Sequence, residues 1–416
     1  MGLVRRWRQI TWMIVVGLLP GSYMLWCAPK VDRKGVSPPV SVVYLRPRND
    51  RGRTFDLMLL ASARASSGAR LVCSLRNAWL HSIRRQLSGP PVPDAVGMLP
   101  SPAGDWLLVW DGGRQPAASG SSVFNEGITT EWSVIRLQDG KRTKIAVSKV
   151  DFSYDVAIIP SWSDSHTVQF RDVKGPHTVD VLKLARKAPL HLQPFPGPEP
   201  SLDHLQWTGA EGPELLTKAA GKLRGCVTAL RQMAPRLDLK WNPKWSANRE
   251  EWACLLATGV PLPSRTRGWL GPKAQASLSP DGSKLAVADR GVQKRLTSRE
   301  RPSYTAEVDG ARLRVVEVAS GRRLWEYQAF PKAIEYAPGA YHGLANPPMP
   351  LWTNPSVQDL RWSADGRYLS FTLYGDPQYE PVIPTVHVVD ATAWREVLVI
   401  PHGVDVFVLP EPETQR

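Results

Sequence analysis

Two stretches hold the side chains best suited to engaging a partner. Residues 290–310, "RGVQKRLTSRERPSYTAEVDG", set Arg290, Lys294, Arg295, Arg299 and Arg301 against Glu300, with Glu307 and Asp309 further on, a surplus of cations suited to an anionic partner. Residues 331–355, "PKAIEYAPGAYHGLANPPMPLWTNP", offer Tyr336, Tyr341, His342 and Trp352 among prolines. Such a rigid aromatic platform stacks on sugars or on Pro-rich peptides. The same side chains also suit a purely structural role, covering a rim or plugging a ring. Signatures of catalysis are missing from the sequence. It has no G-x-S-x-G elbow, H-E-x-x-H pair, G-x-G-x-x-G turn or Walker-type glycine loop, and its eight His are scattered singly. Carboxylates such as Asp151 and Asp155 suit either a central channel or bonding to strand-end backbone. No catalytic residue, metal ligand or cofactor site is assigned, and enzymatic activity is left open with a non-enzymatic role preferred.

The elements that must position these loops are announced by a recurring phrase. "WSADGRYLSF" from Trp362, "LSPDGSKLAV" from Leu278, "PSPAGDWLLV" from Pro100 and "WSANREEWAC" from Trp245 align without gaps. "WSDSHTVQF" from Trp162 lacks one residue, "WTGAEGPELL" from Trp207 has one extra, and residues 46–59 are a weaker seventh match. Ser and Asp side chains bond nearby backbone N–H groups, Pro presets φ, and Gly takes the positive φ that closes a turn. The period-2 run that follows, Leu369 and Phe371 or Leu285 and Val287, is that of a half-buried strand. A second hairpin pattern follows at 133–145, 314–326 and 387–399. Two hairpins make a four-stranded antiparallel unit with two edges, and radial closure covers such edges.

"SLSPDGSKLAVA" and "RWSADGRYLSFT" resemble the TolB-type, WD-like β-propeller repeat. The resemblance covers short motifs and implies a fold, since propellers of this kind serve as binding scaffolds and in hydrolase or lyase families alike. The expected fold is all-β, a β-propeller of four-stranded antiparallel blades over 40–410, with seven blades preferred to six, preceded by one N-terminal hydrophobic helix. A linker over 31–39 and a tail over 411–416 flank it. The strand "VDVFVLP" near the C-terminus is expected to close the ring with a strand of the N-terminal part. Between residues 207 and 278 a blade is favoured over a helix carrying Leu216, Ala220, Leu223, Val227 and Leu230 on one face, because Gly221 and Gly225 oppose a helix. Short turns should gather at one end of the disc, and the long connections 111–130, 186–201, 259–273, 290–311 and 331–356 at the other, where function is usually placed.

The formal charge of +14 is concentrated: residues 1–90 hold 15 Lys and Arg against Asp32, Asp50 and Asp56, while the rest holds 37 basic and 35 acidic residues. A nucleic-acid surface wants basic residues along the folded domain, so no nucleic acid is expected. Between Arg8 and Lys30 runs a charge-free stretch of 21 residues, so 1–30 read as a signal anchor, with lipidation at Cys27 and a cleaved signal as alternatives. The body is placed outside the cytoplasm, in the cell envelope. Cys226 and Cys254 are compatible with a bridge and equally with buried thiols. The expected function is therefore a membrane-tethered, extracytoplasmic scaffold binding an envelope protein or glycan through Tyr336, Tyr341, His342, Trp352, Arg295, Arg299 and Arg301. The alternative is a propeller-fold, lyase-like polysaccharide enzyme with a metal or acid/base site in its funnel.

Overall fold

The structure, a computed structural model, describes residues 40–48, 54–61, 69–76, 96–114, 128–150, 155–156, 160–172, 174–186, 188–193, 195–196, 215–237, 239, 250, 253–254, 274–297, 305–330, 335–336, 350–351, 355–374 and 384–410. The chain divides into units Met1–Val36 and Ser37–Arg416, and every described residue belongs to the second. The expected N-terminal helix, the 31–39 linker and the 411–416 tail lie outside the described residues. Among the described residues no helix is long and apolar enough to cross a membrane.

Among the described residues the chain is all-β apart from a few helical segments. It opens with β1 (Val42–Pro47), β2 (Thr54–Leu60) and β3 (Arg70–Arg76). A second group is β4 (Gly97–Pro100), β5 (Trp106–Arg114), β6 (Ile128–Arg136) and β7 (Arg142–Val150). After β8 (Asp155–Val156) come β9 (Ser161–Trp162), β10 (Thr167–Asp172) and β11 (Gly175–Asp180), a 3-10 turn over Val181–Arg186, β12 (Leu190–Leu192) and β13 (Phe195–Pro196). Helix α1 (Leu215–Leu237) precedes β14 (Ala274–Leu278), β15 (Lys284–Thr297), β16 (Thr305–Glu317) and β17 (Arg323–Ala329). The short β18 (Glu335–Tyr336) and β19 (Pro350–Leu351) are followed by β20 (Ser356–Trp362), β21 (Tyr368–Tyr374), β22 (Thr385–Asp390), β23 (Arg395–Pro401) and β24 (Val404–Val408).

These strands form five sheets of three or more strands among the described residues. Strand β24 pairs antiparallel with β1, so the C-terminal strand completes sheet 1 in the order β24-β1-β2-β3. Sheet 2 is β4 to β7 with β12 added in parallel on its outer edge. Sheet 3 is β9 to β11, sheet 4 is β14 to β17, and sheet 5 is β20 to β23.

The repeated phrase is a turn of fixed chemistry. In sheet 5 the Ser363 N–H donates to the Tyr368 carbonyl at 2.8 Å, the Gly366 N–H returns to the Ser363 carbonyl at 3.0 Å, and the Ser363 hydroxyl donates to Asp365 at 2.6 Å while accepting the Tyr368 N–H at 2.9 Å. Ser279 with Asp281, Gly282 and Lys284, and Ser101 with Gly104, Asp105 and Trp106, repeat the pattern. Gly366 holds φ at 69°, where a Cβ would be strained. All three turns join the first and second strands of a sheet and share one end with the third-to-fourth turns.

Sheets 1, 2, 4 and 5 bury both faces against neighbours. Val43, Leu45, Phe55 and Leu57 of sheet 1 pack on Met98, Leu107 and Val109 of sheet 2. Leu108, Trp110 and Trp132 on the other face of sheet 2 meet Val168 and Phe170 of sheet 3. Leu313 and Val315 of sheet 4 meet Leu369, Phe371 and Leu373 of sheet 5, whose far side carries Tyr368 against Val42 and Val406 of sheet 1. Strand β21, "YLSFTLY", is buried at every position because both faces are covered. Burying each such apolar side chain stabilises by about 1.5–3 kcal/mol.

Three expectations are corrected. Residues 215–237 are helical, not a blade: Cys226, Val227, Ala229, Leu230, Met233 and Leu237 line one face of α1 and cover Ala276, Leu285, Val287 and Val316 of sheet 4. A Cβ on Gly225 would stand 3.4 Å from the Leu278 side chain, an ordinary contact, which places this face of α1 directly over β14. Helix α1 also touches β10. The phrase at Trp245 leads into helix at Glu250 and Ala253–Cys254, with Cys254 bonded to Cys226. The weak match at 46–59 joins β1 to β2, the second and third strands of sheet 1, so it belongs to the opposite end from the other turns.

Candidate functional site

The end opposite the serine turns carries the long connections, and its best-described feature is an arm. Beyond the irregularity between Asp289 and Val292, β15 and β16 continue pairing with each other alone, from Val292 opposite Gly310 to Thr297 opposite Thr305. The expected irregular loop 290–311 is therefore largely a two-stranded ribbon. Cross-strand polar pairs favour it: Arg295 stands opposite Glu307 and donates to the Thr305 hydroxyl at 3.1 Å, and Gln293 donates to Asp309 at 3.3 Å. Gln293, Lys294 and Arg295 are exposed. At the base, the Lys294 ammonium lies 5.5 Å from the Phe330 ring centre, and a Cβ on Gly310 would come within 2.6 Å of that ring. Only glycine there lets Phe330 seat the arm.

Of the residues expected to bind, the structure thus describes Arg295 in full. Arg299, Arg301, Tyr341, His342 and Trp352 lie outside the described residues. Tyr336 is placed by its backbone, paired with Pro350 in the β18–β19 ribbon, and its side chain is not described. Asp151 lies outside the described residues as well, and Asp155 pairs through its backbone with Pro196.

Sequence reasoning missed a buried carboxylate that recurs at one place in three sheets. Asp111 stands ten residues after Ser101, Asp289 ten after Ser279, and Asp172 nine after Ser163 in the motif that lacks a residue. Asp172 ends β10, Asp289 is the last β15 residue paired with β14, and Asp111 follows the last β5 residue paired with β4; all three are buried. Asp111 accepts from Arg142 at 2.8 Å and, weakly, from the Arg76 N–H at 3.4 Å, at the end of sheet 1's outer strand. Asp172 accepts from His177 and from the N–H groups of Lys174 and Gln193 at 2.8–2.9 Å, and Gln193 follows the strand on sheet 2's outer edge. Burial works to raise the Asp172 pKa, but these hydrogen bonds outweigh it and hold the carboxyl below its ordinary value. Asp289 takes both forks of Arg312 and one N–H of Arg314, each at 2.9 Å. Burial pulls the Arg314 guanidinium below its usual pKa, with Asp289 opposing. Asp111 and Asp172 each reach an outer strand of the neighbouring sheet, whereas Asp289 pins the adjacent strand β16 of its own sheet; the signal in the sequence was the fixed distance from serine.

The first strands carry a second buried polar series. The Leu360 N–H donates to Gln275 at 3.3 Å and the Asp405 N–H to Asp359 at 3.3 Å, so each side chain receives backbone from the next sheet. Asp359 and Asp405 adopt positive φ, 54° and 53°, which Asp tolerates better than most residues. Arg361 lies between them, 2.7 Å from Asp405 and 3.9 Å from Asp359, with its guanidinium over the Phe407 ring at 4.1 Å. Two carboxylates so committed to backbone and to one guanidinium serve cohesion rather than proton transfer. Among the described residues no group of three or more His, Cys, Asp or Glu is arranged to hold a metal.

No protein-family model matches the chain, and no curated protein matches it in sequence. Solved structures do. TolB from Acinetobacter baumannii is 10% identical, over 87% of this chain and 52% of its own, with a TM-score of 0.24. A protein from Lactobacillus plantarum is 9% identical over 89% and 99% of the two chains, with a TM-score of 0.28. The β-propeller domain of the trilobed protease from Pyrococcus furiosus is 10% identical over 90% and 94%, with a TM-score of 0.21. The chain spans about half the length of TolB. This is a likeness of fold alone, to TolB-type, WD-like propellers.

Proposed function

We propose that the chain is a membrane-tethered, extracytoplasmic β-propeller that binds an envelope protein or glycan through the end bearing its long connections. The ring in this reading has six positions, five filled by sheets and the sixth by α1 between sheets 3 and 4. One observation carries the proposal: serine turns of a single tight design occupy one end, while the other extends the exposed β15–β16 arm beyond its four-stranded sheet. The Cys226–Cys254 bridge supports an oxidising compartment, and the charge-free run before Lys30 supports a tether. The near balance of acids and bases after residue 90 argues against a nucleic-acid partner.

The test is site-specific photo-crosslinking of the full chain in intact cells. A crosslinker at Gln293 or Arg295, on the arm, is expected to trap a discrete envelope component. One at Asp139 or Ser320, in turns at the other end, is expected to trap none. Equal trapping from both ends, or none from the arm, overturns the reading.

A further inference from the structure

A cleft of 560 Å³ opens between the outer strand of sheet 1 and the facing side of sheet 2. Ser74 and Arg76 of β3 form one wall; Asp111 and Gly112 of β5, Thr129, Glu131 and Ser133 of β6, and Arg142 and Lys144 of β7 form the other. The apolar contact between these sheets, Leu57 and Leu75 against Leu107 and Val109, lies within the same interface but does not line the cleft. Every lining side chain is polar, so the cleft is not suited to an apolar guest.

Its charge is not self-cancelling. Asp111 holds Arg142 at 2.8 Å and Glu131 holds Lys144 at 2.7 Å, so both acids are engaged. Beside them Asp56 is occupied by Arg48 and by the Ser74 hydroxyl, each at 2.8 Å. Among the described residues no carboxylate pairs with the exposed Arg76 guanidinium. Cys73, next to Ser74, adds no negative charge at neutral pH, because burial pushes its thiol up to about 11. The Thr129 hydroxyl, shielded from solvent, has no hydrogen-bond partner among the described residues. A shielded hydroxyl without a partner costs on the order of 1–3 kcal/mol unless something bonds to it.

We propose that this cleft binds a small hydroxylated anion, one carboxylate or phosphate group on a body the size of a single sugar. Arg76 and the N–H groups of Arg142 not committed to Asp111 receive the charged oxygens from opposite walls. Guanidinium matches the planar, two-oxygen geometry of such groups. Glu131 and Asp111 keep acceptor lone pairs for hydroxyls of the body, and Thr129 and Ser133 supply donors. The volume falls within the usual range for small-molecule sites, about 300–1,000 Å³. The proposal stands apart from the arm, which belongs to sheet 4, so either can fail without the other.

Isothermal titration of the purified full chain with glucuronate, glucose 6-phosphate and glucose tests it. At least one acid is expected to bind saturably with Kd below about 1 mM, and glucose at least about tenfold more weakly. Preference for glucuronate identifies a carboxylated ligand, and preference for the phosphate a phosphorylated one. Arg76→Gln, an exposed position whose loss leaves no buried charge, is expected to weaken binding about tenfold with an unchanged melting curve. Lys144→Gln should weaken it in the same direction. The proposal is overturned if neither acid binds more tightly than glucose, or if both variants bind the preferred acid as wild type does.

Discussion

The Trp362 indole N–H donates to the Ser277 carbonyl at 2.9 Å, and Trp162 repeats the bond to Leu99 at 3.0 Å. Each Trp stands just before the serine of its own turn, and each carbonyl stands two residues before the serine of the preceding sheet. The tryptophan thus does more than fill space between sheets: it sets their register with a directional bond. Trp362→Phe keeps most of the ring and removes the donor. It is expected to lower stability by about 1 kcal/mol, the net worth of one such bond. Denaturant unfolding should show a lower midpoint with an unchanged slope, and an unmoved midpoint rejects the register role.

Asp289 neutralises two guanidiniums whose side chains are only 16% and 10% exposed. Asp289→Asn keeps the shape and removes the buried charge that accepts from both Arg312 and Arg314, leaving the more distant Glu326 to offset them. The expected loss is about 3–5 kcal/mol. Adding Arg314→Met should restore part of it, because one of the stranded charges is then gone. A double variant no more stable than Asp289→Asn alone would show that repulsion between cations is not the cause.

What was legible in the sequence is what local chemistry decides. Ser363, Asp365 and Gly366 build their turn from bonds within six residues, so the phrase alone identifies the hairpin. The closing strand β24 was legible too, since alternation in "VDVFVLP" demands a partner that only an edge can provide. Helix α1 was not, because the cost of Gly221 and Gly225 is visible locally whereas the compensating burial of Val227, Leu230 and Met233 against Ala276, Leu285 and Val316 is made across more than forty residues. The β15–β16 arm escaped for a different reason: Gln293 to Arg295 are polar on both faces and show no apolar period. The cleft beside Arg76 depends on two sheets far apart in sequence, and no spacing in the chain announces it.

The serine turns should also be felt as acid sensitivity. The hydroxyls of Ser279 and Ser283, with the Ser283 N–H, draw the Asp281 carboxyl down from the ordinary 3.8 to about 2. A carboxyl depressed on folding adds stability that is present above its unfolded value and lost as pH falls through its folded one. The window therefore lies between about pH 4 and pH 2. Asp281→Asn is expected to flatten the fall of the unfolding midpoint across that window, with little change in slope above pH 5. A profile parallel to wild type below pH 4 would mean that the turn does not discriminate between protonation states.

The Cys226–Cys254 bridge ties α1 to the short helical segment after Trp245 and spans a separation of 28 residues. By loop-closure entropy it should contribute about 3–4 kcal/mol, all of it acting on the part of the chain that covers sheet 4. Its loss should therefore be local before it is global. Replacing both cysteines with Ala removes the link but keeps small apolar side chains at Ala276 and Leu285. Hydrogen exchange is expected to quicken in α1 and β14 first, while β21, covered on both faces by sheets 4 and 1, keeps its protection. Uniform loss of protection in α1 and β21 together would show that the helix is integral to the ring's cooperativity and not a cover that opens separately.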